Sequence, residues 1–129
     1  MSREIRTPGP DHPIEISENP GLIRVTARLG GEVIAETTSA VTLTEATLAP
    51  VHYIPLKDVN QKFLRRTDSH TYCPYKGEAS YYSLVTSASV IKDAVWFYAE
   101  PYDAVAAIAG RVAFYPEHVQ ITVSEAVAD

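Results

Sequence analysis

The chain of 129 residues carries one cysteine, one methionine and one tryptophan. A lone thiol closes no intrachain disulfide and supplies no four-cysteine zinc site. It fits a reducing, cytoplasmic compartment. Long apolar runs are missing too. Nothing approaches the roughly 20 residues needed to cross a bilayer, and the first 21 residues hold no apolar core of signal-peptide type. No membrane partner is therefore expected. Cationic residues are few, 11 Lys and Arg against 16 Asp and Glu, for a formal net charge of −5. Such a surface repels phosphate backbones, so no nucleic-acid partner is expected. Arg65-Arg66 is the one basic pair. The chain has no G-x-x-x-x-G-K-[ST] or G-x-G-x-x-G run and no close carboxylate pair to hold magnesium. His12, His52, His70 and His118 lack ligand spacing. Neither a metal nor another cofactor is expected.

The length is that of one domain, and 46% hydrophobic residues suffice for one core without staples. Residues 1–21 read as an extended arm. Pro8, Pro10, Pro13 and Pro20 block helix there, while Ile14 and Ile16 offer anchors for it on the body, residues 22–129. From Ile23 to Leu29 apolar and polar residues alternate strictly, with Ile23, Val25, Ala27 and Leu29 on one face, the period of a half-buried strand. Gly30-Gly31 predicts a hairpin into a return strand over residues 32–37. Strands follow at 41–47 and 51–54, the second stopped by Pro55. Leu56, Val59, Phe63 and Leu64 have helical spacing and predict one or two short turns. Later strands are expected at 79–86, from Val90 or Val95 to Tyr98, at 112–115 and at 119–123. A helix opened by Pro101 and closed by Gly110 is expected between the strand ending at Tyr98 and that at 112–115. Many short strands with turns between them predict a mainly β, antiparallel architecture.

Chemistry-bearing residues concentrate in Thr71-Tyr72-Cys73-Pro74-Tyr75-Lys76-Gly77-Glu78-Ala79. Pro74 removes a donor and Gly77 frees the backbone, so the run predicts an irregular loop entering a strand. Loops that gather such groups often carry function. Cys73 has two readings, a small buried hydrophobe or a thiolate activated by Lys76 or by a histidine such as His70. Lys76 and Glu78 lie two apart and point the same way if the segment is extended. They form either an exposed ion pair or an anion- and donor-binding pair. Glu100, beside Pro101, caps the helix or adds a carboxylate to a site.

Aromatic residues are skewed as well. Seven of the eight tyrosines, the tryptophan and two of the three phenylalanines lie between positions 72 and 115. Sheet packing explains this; so does an aromatic-walled pocket. In Val95-Trp96-Phe97-Tyr98, Trp96 and Tyr98 share one face and Val95 and Phe97 the other. Joined by Tyr53 or Tyr75, the first pair would enclose a planar or cationic group.

The run from Thr71 through Cys73-Pro74-Tyr75-Lys76-Gly77-Glu78-Ala79 to Tyr81-Tyr82 resembles the hallmark of domain-of-unknown-function family 427. Asn19-Pro20-Gly21 with Leu29-Gly30-Gly31-Glu32-Val33-Ile34-Ala35, Tyr53-Ile54-Pro55 with Asp58-Val59, and Trp96-Phe97-Tyr98 with Glu100-Pro101-Tyr102 and Ile108-Ala109-Gly110-Arg111-Val112-Ala113-Phe114-Tyr115 are similar to its other blocks. The resemblance implies a fold like the β-tent group, two antiparallel sheets leaning together, and membership of a mostly bacterial family filed under a nucleotidyltransferase-like label. Many tent domains pin their sheets with cysteine-bound zinc, which Cys73 alone cannot reproduce.

Three functional expectations follow. The first is a binding module for a small polar or cationic ligand, built from Tyr53, Tyr75, Trp96, Tyr98 and Glu100 beside the 71–79 loop. The second is a small enzyme using Cys73, Lys76 and Glu78, or a nucleotide-handling enzyme as the family label suggests. The third is a homo-oligomer joined through tyrosine-rich sheet faces.

Overall fold

The computed structural model describes residues 3–124; the first two positions of the arm and the last five of the body lie outside them. Ten strands form two antiparallel sheets. In chain order they are β1 (Ile14–Asn19), β2 (Leu22–Ala27), β3 (Val33–Thr37), β4 (Ala40–Glu45), β5 (Val51–Pro55), β6 (Leu64–Cys73), β7 (Gly77–Val85), β8 (Val90–Tyr98), β9 (Arg111–Phe114) and β10 (Val119–Ser124). The larger sheet has the order β1-β4-β5-β9-β8-β7-β6 and the smaller β10-β2-β3. Three short 3-10 segments, Leu56–Asp58, Gln61–Phe63 and Asp103–Ile108, are the helical content of the described residues. The fold is mainly β, with two antiparallel sheets in one domain, as the pattern of short strands predicts.

The two sheets meet over one hydrophobic cluster. Ile23, Val25, Ala27, Ile34 and Ala35 from the small sheet pack on Ile54, Leu84, Val95, Val112 and Phe114 from the large one. The opposite face of the large sheet carries a second cluster, with Leu43, Tyr53, Tyr81, Tyr98 and Ala113 over Val105 and Ile108. Period-two alternation sorts neighbours between the faces. Tyr53 and Ile54 part this way, as do Trp96 and Val95, and Ala113 and Phe114. The second face is the one left uncovered by the small sheet, and it positions the site.

The β2–β3 hairpin turns at Gly30 and Gly31, with φ of +88° and +69°, backbone angles that glycine adopts without strain. Four expectations change. Leu29 is 60% exposed, because β2 ends at Ala27 and the chain has already begun to turn. The arm is not merely anchored: β1 pairs with β4 from Ile14↔Glu45 to Asn19↔Ala40 and forms an edge of the large sheet. Residues 64–73 form the ten-residue β6. That strand is polar on both faces and bulged between Arg66 and His70, so it shows no alternation, as edge strands commonly do not. The irregular loop therefore shrinks to a turn at residues 74–76. Finally, the expected helix at 101–110 is 3-10 in character and kinked at Val105. Its buried residues, Val105 and Ile108, are three apart, the 3-10 repeat.

A cleft on the open sheet face

Aromatic side chains wall a cleft of about 220 Å³ on the second face. Tyr53 (β5), Tyr81 (β7), Trp96 and Tyr98 (β8) and Tyr115 after β9 form its floor and sides. Their strands are adjacent in the order β5-β9-β8-β7, so side chains of one pleat parity converge. Trp96 Nε1 donates to the Tyr53 hydroxyl at 3.2 Å. The two rings meet edge to face at 6.4 Å, and Trp96 lies 4.5 Å from Tyr115 between centroids, distances at which aromatic pairs attract beyond their buried area. Leu43, Leu48, Ala49 and Val51 complete its apolar lining.

Two lining residues, Glu45 and Lys76, are charged. Glu45 continues the buried alternation Val41, Leu43, Glu45 along β4 and reaches the cleft as a 9% exposed carboxylate. A buried carboxylate needs partners, and it has two. Lys76 Nζ donates to its Oε1, and His12 Nε2 lies 2.7 Å from its Oε2. His12 precedes β1, whose first residue pairs with Glu45, so the strand register delivers the imidazole. Tyr75 stacks on that imidazole at 4.1 Å and 11°. The turn presenting Tyr75 and Lys76 is pinned on both sides: Arg6 N donates to Pro74 O at 2.9 Å and Tyr102 N to Lys76 O at 3.0 Å.

Electrostatics follow from burial and these partners. Burial pushes the Glu45 pKa up, but hydrogen bonds from Lys76 and His12 outweigh it and hold the carboxylate below its ordinary value. The phenols shift the other way. Burial raises Tyr53 and Tyr115 to about 12 and drives Tyr98 further up. All three are neutral hydroxyls at neutral pH. Among the described residues the Tyr98 hydroxyl has no hydrogen-bond partner, and that of Tyr53 accepts from Trp96 without donating. Both remain free to donate into the cleft.

Four of the expected site residues meet here: Tyr53, Lys76, Trp96 and Tyr98. The other four do not line the cleft. Tyr75 supports it from behind through His12. Cys73 packs against the same cluster without lining it, and among the described residues its sulfur bonds no histidine. Glu78 and Glu100 share a separate groove with Arg3, Gly77 and Tyr102. Lys76 and Glu78 thus do not point the same way. Gly77 between them has a φ of +113°, which breaks the extended backbone, so Lys76 turns inward and Glu78 turns out to Arg3 Nη2 at 2.7 Å. Among the described residues no group of three or more His, Cys, Asp or Glu side chains is gathered to hold a metal ion. No described helix is long and apolar enough to span a membrane.

The family described as "Domain of unknown function (DUF427)" matches residues 16–125. The chain belongs to this family. The DUF427 span covers every residue lining the cleft but begins after His12, so the imidazole that steadies Glu45 comes from outside it. Among curated proteins none matches the chain.

Sequence reasoning missed Glu45, His12, Tyr81 and Tyr115. Glu45 had a signal: it stands in phase with Val41 and Leu43, where an unpaired carboxylate would be costly. Tyr81 likewise stands in phase with Ala79. His12 had none, because its role depends on the pairing of β1 with β4, across 33 residues.

Proposed function

We propose that this protein binds a small organic ligand in the aromatic-walled cleft beside the β6–β7 turn. The observation that carries the reading is the convergence of Tyr53, Lys76, Trp96 and Tyr98, from β5, the β6–β7 turn and β8, on one cleft. An apolar recess holding a few convergent polar groups is the usual form of a small-molecule site. At about 220 Å³ the cleft suits a one-ring molecule. Stacking on Trp96 and Tyr115 would hold a flat body. Lys76, Glu45 and the two phenols would orient its polar edge.

Trp96 is the only tryptophan, so its indole reports on the cleft alone. A library of one-ring polar compounds is titrated while the indole N–H resonance and fluorescence are followed. At least one compound should shift both saturably, and calorimetry, which needs no indole, should show its binding weakened by about tenfold or more in Trp96→Leu. Saturable binding that Trp96→Leu and Lys76→Met leave unchanged would place the ligand elsewhere and refute the reading.

A further inference from the structure

The charge balance of the cleft narrows the ligand class. Among the described residues, Lys76 and Glu45 are its only ionic lining residues. They are bonded to each other, with side chains 12% and 11% exposed. One positive and one negative charge sit together in the lining, and tyrosine, tryptophan and aliphatic groups make up the rest. A carboxylate entering this space would meet Glu45 as closely as it meets Lys76. An ammonium or amidinium would meet Lys76 as closely as Glu45. Either ion would give up part of its hydration against lining charges that cancel, with the His12 imidazole already bonded to the far oxygen of Glu45, which is costly.

Both members of the pair keep unused hydrogen-bonding capacity. An ammonium has three donors, and Glu45 takes one of them from Lys76. A carboxylate has about four acceptor positions; Lys76 and His12 occupy one on each oxygen. The pair therefore offers a donor and an acceptor side by side, while its charge cancels. The Tyr53 and Tyr98 hydroxyls add neutral donors nearby.

We infer that the cleft selects a planar, uncharged ligand with a donor and an acceptor adjacent on one edge, the pattern of a primary carboxamide, a lactam or a cyclic ureide. The acceptor oxygen takes a hydrogen bond from Lys76, the N–H donates to Glu45, and the ring lies against Trp96. The cationic ligand that an aromatic cage alone suggests is disfavoured by Lys76 at the same mouth. The inference rests on the cleft being a binding site and assigns the chemistry that fills it.

Benzamide, benzoate and benzamidinium test it, having one ring, nearly equal size and charges of zero, −1 and +1. Each is titrated into the full chain at pH 8, with the Trp96 indole resonance as readout. Benzamide should bind at least about tenfold more tightly than either ion. Glu45→Gln should move the preference towards benzoate, and Lys76→Met towards benzamidinium. If either ion binds the unaltered protein as tightly as benzamide, the neutral-ligand inference falls while binding in the cleft stands. If none of the three moves the indole signal at the highest soluble concentration, the neutral-ligand inference falls, and the wider compound titration decides the cleft itself. These two outcomes are read on the unaltered protein, so a variant that fails to fold leaves the test intact.

Discussion

Replacing Lys76 by methionine tests how the charged pair of the cleft is held. Methionine keeps much of the apolar stem and removes the charge, so the packing changes little. Glu45 would keep one partner, His12 at 2.7 Å. Removing one member of a fully buried pair costs about 3–5 kcal/mol. The remaining imidazole and residual solvent contact reduce this to about 1–3 kcal/mol. For a chain of this size each kcal/mol shifts Tm by about 3–5 °C, so Tm should fall by about 3–15 °C at pH 7. The pH dependence gives a sharper check. The folded-state pKa of Glu45 lies below its ordinary 4.5 because of Lys76 and His12. The stability this contributes is complete above the unfolded pKa and is lost as pH falls through the folded value. The gap between parent and variant should therefore be full at pH 7 and narrow steadily below about pH 4.5. Urea unfolding followed by Trp96 fluorescence at pH 7 and pH 3.5 measures it. Equal stability of the two proteins at pH 7, or a gap of the same size at both pH values, would refute the reasoning.

Gly77→Ala should cost about 1–3 kcal/mol, since φ is +113° there and an added Cβ would sit 3.3 Å from the Glu100 carbonyl oxygen; an unchanged urea midpoint would contradict the turn geometry. Tyr53→Phe removes the acceptor of the Trp96 N–H and should lower stability by about 1 kcal/mol, with a shift of the indole N–H resonance that a purely structural loss elsewhere would not give. Leu84, fully buried between the sheets, should cost about 2–5 kcal/mol when cut to alanine, read from the same denaturation curves. In an alkaline absorbance titration, Tyr53 and Tyr115 should ionise only near pH 12; complete ionisation of all tyrosines by about pH 10.5 in the folded protein, near the ordinary phenol value, would count against a closed aromatic wall.

Strands with one wet face were legible in the sequence. The alternation of Ile23, Val25 and Ala27 marked β2, and the opposite facing of Trp96 and Val95 held across the two clusters. Legibility failed where a strand has no buried face to declare itself. Polar β6 carries Arg65, Arg66, Asp68 and Ser69 at an edge, and its pairing with β7 is visible only in three dimensions. The candidate site was half legible for a related reason. Side chains on regular strands, such as Tyr53, Trp96 and Tyr98, keep their parity and could be placed. Side chains around a left-handed glycine could not, and Gly77 reversed the relation of Lys76 to Glu78. Family membership was legible in contiguous motifs, whereas the Glu45–His12 contact depends on two segments far apart in the chain.

The incorporation of β1 into the larger sheet makes the composition-based boundary near residue 21 a poor place to cut. A shortened chain starting there would surrender the imidazole behind Glu45 and strip the outer rim of β4 of the strand that pairs with it from Ile14 to Asn19. Such a bare rim invites a second chain to fill it. A truncation meant to isolate the body would instead manufacture a sticky edge, and any self-association it showed would be a property of the cut.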